Sequence, residues 1–346
     1  MKSIKKKIDQ ILYLSKNQVG KSKLRSKIII NELILLNIRM EKILYDQMNK
    51  LGNPVNLINK DLTHTINVFK ELDFYSKFEK NQKVKKINFV REKEHQKLFQ
   101  KLWKHYTFSE FKKDRLSRYV KRIKINNLQK LIKDKKIIDF GCGHGNFLMS
   151  CYAFDSKFCL GIDYGGGSIN YANEIRNKLK IDKSKVNFIK KNIYSSGQKN
   201  ESFDFAIQNG VFHHLDDEIK AYKEVYRVLK KDGYFWLYTD GGGGIRDMIT
   251  NMSQKILSKI DKDYVIDQIR SIGLNSDKEY FLGDNLNALY RQTNMQNLKT
   301  MLKKIGFKEF KQMNGGYSTD YDKPFSKDKF FNQKFGSGDL RVLCKK

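Results

Sequence analysis

The stretch from Lys136 to Asn146 constrains the fold of this chain more than any other part of the sequence. An apolar run that contains one acid, Ile137-Ile138-Asp139-Phe140, predicts a short buried strand. Three glycines follow on alternate positions, at Gly141, Gly143 and Gly145. Glycine tolerates positive φ and lacks the Cβ that would hold a ligand away from the backbone. A strand, a glycine turn and a helix in this order predict a nucleotide-type cofactor site at the carboxyl edge of a parallel sheet.

The spacing of the glycines narrows the kind of cofactor. A dinucleotide-binding turn follows G-x-G-x-x-G and would need glycine at position 146, where this chain has Asn146. The glycines here run G-x-G-x-G, with Asp139 two residues ahead and Cys142 inside the turn. This pattern resembles motif I of the class I S-adenosylmethionine-dependent methyltransferases, in the form D-x-G-C-G-x-G.

Strands and helices alternate after the glycine turn, which predicts a parallel sheet covered by helices. The predicted strands cover residues 137–140, 158–163, 186–190, 203–208, 234–239, 310–313 and 340–344. The predicted helices among them cover residues 168–179, 217–229 and 295–305.

Residues at the ends of the second and third strands fit the adenosine part of such a cofactor. Asp163 ends the second strand, and an acid beside the glycine turn can accept hydrogen bonds from both ribose hydroxyls. Tyr164 is expected beside the adenine. In the methyltransferase family an Asp or Asn after the third strand meets the adenine amino group, and the next apolar residue packs on the ring. Asn192 and Ile193 match those positions.

Two further segments strengthen the resemblance. The segment from Phe203 to Leu215, which includes Asn209 and Gly210, is similar to motif IV of methyltransferases of quinones, sterols and other small molecules. The segment from Arg227 to Tyr234 is similar to the helix, turn and strand that follow it. These matches span about a third of the chain. They imply a Rossmann-like seven-stranded α/β fold whose last strand, near residues 340–344, is antiparallel, with S-adenosylmethionine as the cofactor.

Direct transfer of the methyl group to an oxygen acceptor is helped by a base. His213, His214 and Asp240 lie at predicted strand ends that face the cofactor, and they are the catalytic candidates. The alternative for the histidines is that they close over the cofactor or cap the next helix. No metal site is expected, because the cysteines show no C-x-x-C spacing and no pairing with histidine.

The sequence predicts two domains. Residues 1–128 form a basic helical region, with helices at 2–51, 61–78 and 91–105, a polar linker at 80–86, and a helix that begins at the capping box Thr107-Phe108-Ser109-Glu110. Residues 129–346 form the methyltransferase domain. A helical insertion at 241–292 begins with four glycines and is expected to act as a lid over the cofactor.

The chain is strongly basic, with 68 Lys and Arg against 38 Asp and Glu. The excess is uneven, because residues 1–130 hold 32 of those basic residues and 12 of the acidic ones. Such asymmetry is typical of a nucleic-acid or anionic-membrane face. A lysine-rich codon background is the explanation that the sequence favours, since only 12 of the 68 basic residues are Arg, the preferred residue for phosphate and base contacts.

The acceptor must be held by residues outside the sheet motifs. The candidates are Tyr119 and Arg122 before the first strand, and Tyr290 and Arg291 after the insertion. We expect methyl transfer to an oxygen or nitrogen of a small or medium-sized, neutral or anionic biosynthetic acceptor. The alternative hypothesis is an RNA methyltransferase that binds tRNA or rRNA with its basic N-terminal region. A third hypothesis is a binding module whose cofactor site is degenerate.

The sequence also predicts where the protein works. Four cysteines without a disulfide pattern are typical of a reducing compartment, which predicts a cytoplasmic location. The first residues do not form a secretory signal, and the most apolar stretch, 28–38, is far shorter than a transmembrane helix.

Overall fold

In the computed structural model, seven strands of this chain form one sheet. The structure describes residues 1–16, 18–49, 52–75, 107–287, 291–317 and 320–346. The strands are β1 (Lys136–Phe140), β2 (Phe158–Asp163), β3 (Val186–Lys190), β4 (Phe203–Asn209), β5 (Leu229–Asp240), β6 (Lys308–Gln312) and β7 (Asp339–Lys345). The predicted linker 80–86, the predicted helix 91–105 and Tyr290 lie outside the described residues.

The strand order is β3-β2-β1-β4-β5-β7-β6. Strands β1 to β5 pair in parallel, and β7 runs antiparallel to both β5 and β6. The order reverses between β1 and β4, which leaves a crevice at the carboxyl ends of these strands where α/β proteins bind ligands. This topology confirms the predicted seven-stranded class I methyltransferase fold, including its antiparallel last strand.

The helices alternate with the strands as predicted. In the sheet region they are α4 (Phe108–Glu110), α5 (Ser117–Ile125), α6 (Gln129–Ile132), α7 (Asn146–Tyr152), α8 (Gly166–Lys178), α9 (Glu218–Val228) and α13 (Met295–Ile305). A π-helical segment, Phe111–Leu116, connects α4 to α5, and 3-10 turns lie at Phe212–His214 and Lys323–Phe325. Thr107 caps α4 through the predicted capping box with Glu110.

Apolar side chains fill both faces of the sheet, because successive residues of a strand point to opposite sides. Ile137 packs on one face with Phe147 and Trp236. Ile138 and Phe140 pack on the other face. Asp139 alternates with these residues and therefore lies on the same face as Ile137, next to the glycine turn.

A separate helical unit is built from α1 (Lys2–Ser15), α2 (Lys23–Asn49), α3 (Val55–Tyr75), α10 (Ile245–Leu257), α11 (Lys262–Ser271), α12 (Ser276–Asn287) and α14 (Phe331–Phe335). The prediction of one continuous helix over residues 2–51 is wrong, because a turn that includes Gly20 at φ +82° separates α1 from α2. The insertion packs on the N-terminal helices. Asn37 of α2 donates a hydrogen bond to Ser253 of α10, and Arg246 of α10 donates one to Glu41 (3.0 Å).

The two compact units are Met1–Glu94 with Gly242–Ala288 and Ser326–Gly336, and His95–Gly241 with Leu289–Phe325 and Ser337–Lys346. These units differ from the predicted boundaries, since they group the insertion with the N-terminal helices and residues 107–128 with the sheet. The lid role of the insertion stays a prediction. Among the described residues, no helix has the length and apolar character needed to cross a lipid bilayer.

Candidate functional site

The glycine turn between β1 and α7 has a conformation that other residues would strain. Gly141, Gly143 and Gly145 have φ values of +80°, +51° and +77°. A Cβ atom on Gly145 would lie 2.3 Å from Cζ of Phe188, and one on Gly141 would lie 2.6 Å from Cγ2 of Val211. Both distances are well inside van der Waals contact. The turn therefore requires glycine at these two positions, because Phe188 and Val211 pack directly against its backbone.

Asp163, the last residue of β2, joins that strand to the glycine turn. Its Oδ2 accepts a hydrogen bond from the N–H of Gly143 (3.0 Å), and its Oδ1 accepts one from the N–H of Gly165 (2.8 Å). Burial raises the pKa of Asp163, and these backbone hydrogen bonds act in the opposite direction. Each carboxylate oxygen has a second lone pair. The N–H of Tyr164 is a third backbone donor to this carboxylate. The side chain therefore holds the turn and keeps acceptor capacity for a ribose.

Asp139 is buried beside the turn, and one of its oxygens is left without a donor. It is 3% exposed, and none of the described residues donates a hydrogen bond to its Oδ1. Burial, and to a smaller extent the Asp163 carboxylate, raises the pKa of Asp139 well above its ordinary value. A buried oxygen without a donor is costly, and a ligand ammonium group would remove that cost. The turn thus fits S-adenosylmethionine, which carries both an ammonium group and a ribose.

The residues predicted to meet the adenine have different surroundings. Tyr164 is exposed, with Nζ of Lys190 5.7 Å from its ring centroid. Asn192 is exposed, and its Oδ1 accepts a hydrogen bond from the N–H of Tyr194 (2.9 Å). An amide oxygen has a second lone pair, which is the one that the adenine amino group would need. Ile193 is buried in the core on the α9 side of the sheet. Within the turn itself, burial raises the pKa of Cys142 well above its ordinary value, so its thiol is neutral.

A network of hydrogen bonds fixes the end of β4. Asn209 Oδ1 accepts hydrogen bonds from Nη1 of Arg122 (3.3 Å) and Nε1 of Trp236 (3.4 Å), and its Nδ2 donates to the hydroxyl of Tyr119 (3.2 Å). Gly210 follows at φ +84°, and its N–H donates to the carbonyl of Tyr238 (3.1 Å). The sequence placed Tyr119 and Arg122 in the acceptor site, and the structure brings both to the strand end where the acceptor is expected.

The three catalytic candidates are buried near the ends of β4 and β5. His213 and His214 have ring centroids 4.0 Å apart, and Nδ1 of His213 lies 3.4 Å from Oγ1 of Thr239. Burial, and then the neighbouring His214, lowers the pKa of His213 well below its ordinary value, so the imidazole is neutral at neutral pH. Asp240 is 2% exposed at the end of β5.

The arginines predicted for the acceptor site make internal contacts. Arg122 is 4% exposed, and its Nε donates to the carbonyl of Gly315 (3.1 Å). Burial lowers the pKa of its guanidinium. Arg291 donates through its backbone N–H to the carbonyl of His213 (3.0 Å) and through Nη2 to the carbonyl of Asp216 (2.5 Å). Both side chains therefore hold neighbouring loops together.

Sequence reasoning missed a buried ionic cluster around Arg341 of β7. Its Nη2 lies 2.8 Å from Oδ2 of Asp339 and 3.2 Å from Oδ1 of Asp320, and its Nη1 contacts Asp322. The guanidinium also lies 4.6 Å from the ring centroid of Tyr238. These charges are 2 to 21 residues apart in the sequence and match no local motif, so only the fold brings them together.

Comparison with known proteins finds similarity to methyltransferases. Residues 131–267 match the family model described as a methyltransferase domain. A solved S-adenosylmethionine-dependent methyltransferase from Aquifex aeolicus aligns with 70% of this chain and 99% of its own, at 15% identity and a TM-score of 0.41.

Curated relatives match over part of their length. The chain is 30% identical to cycloartenol-C-24-methyltransferase of Arabidopsis thaliana over 110 residues, which is 31% of this chain and 32% of that protein. It is 29% identical to tRNA U34 carboxymethyltransferase of Campylobacter fetus over 119 residues, which is 34% of this chain and 41% of that protein. The chain thus spans less than half of these relatives, and the two act on different kinds of molecule.

Proposed function

We propose that this chain, which contains a class I S-adenosylmethionine-dependent methyltransferase domain, transfers a methyl group to an oxygen or nitrogen atom of an acceptor. The observation that carries the proposal is the pair of carboxylates at the glycine turn. Asp163 is hydrogen-bonded to the turn with lone pairs to spare, and Asp139 Oδ1 has no donor among the described residues. Polar capacity of this kind, left open inside a core, suits a ligand with one ammonium group and two vicinal hydroxyls.

The roles of the cofactor-binding residues follow from that placement. Gly141, Gly143 and Gly145 fix the conformation of the turn against which the cofactor would lie. Asp139 meets the ammonium group of the cofactor, and Asp163 meets its ribose. Tyr164, Asn192 and Ile193 form the adenine end, and Asn209 and Gly210 line the side toward the acceptor. Cys142 lies beside Gly161 of β2 and supports the turn next to the cofactor.

When bound, the cofactor supplies a methyl group on a positively charged sulfur, so the chain has to orient the acceptor and take up its proton. Neutral His213 is the best candidate for that proton, since a neutral ring nitrogen can accept it. Asp240 is buried beside the same strand ends, and its carboxylate would stabilise the positive charge that develops on His213. His214 disfavours that charge, and its ring, 4.0 Å from the His213 ring, would hold His213 in place.

We propose that the group that accepts the methyl is uncharged. Arg122 and Arg341 are the buried cations at this edge, and three carboxylates, Asp320, Asp322 and Asp339, surround Arg341. Little positive charge therefore remains inside the buried site for an anionic acceptor group, which disfavours the anionic alternative. A small or medium-sized acceptor is supported by the sterol-methylating relative. Four free, buried cysteines support a cytoplasmic location.

A second candidate is an acceptor nucleotide within RNA. It is favoured by the concentration of positive charge in the helix that carries Tyr119 and Arg122, and one relative is a tRNA-modifying enzyme. The two candidates share the cofactor site and differ in what holds the acceptor.

Two measurements test the proposal. Titration calorimetry should detect binding of S-adenosylmethionine to the full chain, and no binding would refute it. Incubation of the protein with methyl-labelled cofactor and a cell extract, followed by separation of RNA from metabolites, should show label in one fraction. Label in neither fraction would contradict the proposed activity.

His213→Gln tests the proton acceptor. We expect the turnover rate at saturating cofactor to fall by about 10²-fold or more, because general bases contribute roughly 10²–10⁴-fold. Cofactor affinity should change less than about twofold. The exposed His64, changed to Gln, is the matched control. If His213→Gln turns over as fast as wild type, His213 is not the proton acceptor and its ring only packs against its neighbours.

A further inference from the structure

Positive charge is concentrated in the helical segment that precedes β1. Residues 111–125 contain seven Lys and Arg and one acid, Asp114. Residues 137–241, the motif-bearing part of the sheet unit, contain 14 Lys and Arg and 13 Asp and Glu. A lysine-rich codon background would raise the positive charge of both segments alike. The concentration is therefore a local property of the helix.

The outward side of this helix forms a surface that we name the cationic ridge. Its residues are exposed, apart from the half-buried Arg118. They are Lys112, Lys113, Arg118, Lys121 and Lys124. The inward side of the same helix carries Tyr119 and Arg122, which are hydrogen-bonded to Asn209 at the end of β4. The ridge is thus within about one helix diameter, roughly 10 Å, of the expected acceptor position.

An aromatic ring lies against the ridge. The Tyr317 ring centroid is 4.7 Å from Cζ of Arg118 and 4.8 Å from Nζ of Lys121. The loop that carries Tyr317 is fixed on the helix, because Asn126 and Asn314 exchange two hydrogen bonds, of 2.6 and 2.8 Å. Both cations lie over the ring, so the ring holds two positive charges side by side at the surface, where neighbouring phosphates of one strand can contact them.

We propose that the cationic ridge and Tyr317 bind the sugar–phosphate backbone of RNA and present one nucleotide to the end of β4. This inference rests on the proposed methyl transfer, and it identifies RNA as the molecule that carries the methyl-accepting atom. RNA fits the surface better than a lipid bilayer does. In the segment 111–125, Ile125 is the one exposed large apolar side chain, whereas a membrane-binding face needs several. Asp114 is the one acid of the segment and weakens the ridge locally.

The test is fluorescence anisotropy with labelled bulk tRNA and the full chain, at salt concentrations between about 50 and 200 mM. The ridge variant is Arg118→Gln with Lys121→Gln and Lys124→Gln. The control variant removes the same charge from exposed lysines elsewhere on the sheet unit, with Lys157→Gln, Lys183→Gln and Lys185→Gln.

We expect the ridge variant to bind tRNA at least about tenfold more weakly, and its slope of log affinity against log salt to shrink by about 2, since each lost phosphate contact removes roughly 0.7–0.9. The control should stay within about twofold of wild type. Tyr317→Ala should weaken binding less than the ridge variant does and leave that slope nearly unchanged, because it removes the ring that positions Arg118 and Lys121 and removes no charge.

Three outcomes would overturn the inference. They are equal losses in the ridge and control variants, no tRNA binding by the wild type, and ridge-dependent binding to phosphatidylserine vesicles without tRNA binding. Cofactor calorimetry on the same samples separates this inference from the proposed function. If cofactor binds and tRNA does not, the ridge proposal fails alone, and absence of cofactor binding would refute the methyltransferase activity itself.

Discussion

The two ends of one sheet edge use buried carboxylates in opposite ways. At β1 and β2, Asp139 has an oxygen without a donor among the described residues, and Asp163 has lone pairs to spare. At β5 and β7, the carboxylates around Arg341 each have that guanidinium and a further donor. Those donors are the N–H of Tyr317 for Asp320, the N–H of Gly315 for Asp322, and the N–H of Tyr321 with the Tyr238 hydroxyl for Asp339.

This difference separates a ligand site from a scaffold. A buried charge whose partners all come from the chain holds the fold together, and removing one partner leaves the others stranded. A buried charge with an open lone pair costs stability until a ligand arrives. The end at β1 and β2 should therefore respond to the cofactor, and the end at β5 and β7 should not.

The largest effect is expected for Arg341→Met. Loss of the guanidinium leaves the carboxylates of Asp320, Asp322 and Asp339 buried without their cation, which should lower the free energy of unfolding by about 3–5 kcal/mol. Urea denaturation measures that loss. Arg227→Met is the control, because its ion pair with Glu224 is partly exposed and should cost at most about 1 kcal/mol.

The same variant tests the contrast directly. Below its denaturation midpoint, Arg341→Met should bind S-adenosylmethionine within about twofold of wild type. A large loss of cofactor affinity in the folded variant would show that the Arg341 cluster belongs to the cofactor site. It would contradict the separation of the sheet edge into a ligand site and a scaffold.

Asp163→Ala is expected to have the next largest effect, on binding. It removes the acceptor for both ribose hydroxyls and for the N–H of Gly143, and cofactor affinity should fall by about 1–3 kcal/mol. Asp163→Asn, which keeps one acceptor oxygen, should lose less. Calorimetric affinity equal to that of wild type in both variants would refute the ribose role.

The strands that carry the site were predictable because their signals are local. The predicted bounds of 158–163 and 186–190 equal those of β2 and β3, and the prediction of 295–305 equals α13. A short apolar run between turn residues contains all the information that such a strand needs. The placement of Asp163 beside Gly143 follows from two adjacent parallel strands and a fixed offset.

The remaining features depend on partners far away in the sequence. Strand β5 begins at Leu229, five residues before the predicted start, because it pairs there with β4 across an irregularity between Phe203 and Phe205. The Arg341 cluster draws its acids from a loop and a strand end, and charge pairs across such distances leave no periodic pattern. The break between α1 and α2 was missed because the apolar spacing continues on both sides of Gly20.

The smallest of these effects is expected for Asp139→Asn. This variant tests most directly whether the two ends of the sheet edge differ in their need for a ligand. The change keeps the shape of the side chain and removes a buried charge, while the Asn oxygen can still accept a hydrogen bond from the ammonium group. Cofactor affinity should therefore fall about tenfold, which is about 1.4 kcal/mol. Stability without cofactor should stay equal or increase.

The stability of the protein and its affinity for the cofactor should both depend on pH through Asp139. The pKa of Asp139 is higher in the folded chain than the ordinary carboxyl value, so the folded state keeps its proton longer. As pH rises from the ordinary value through the raised one, wild-type stability should fall, and cofactor affinity should rise because the ammonium group favours the carboxylate. Asp139→Asn should flatten both slopes, as followed by denaturation and calorimetry at several pH values. If both slopes persist in the variant, a group other than Asp139 titrates in this pH range. The Asp139 oxygen without a donor would then not explain why the end of the sheet at β1 and β2 binds a ligand and the end at β5 and β7 does not.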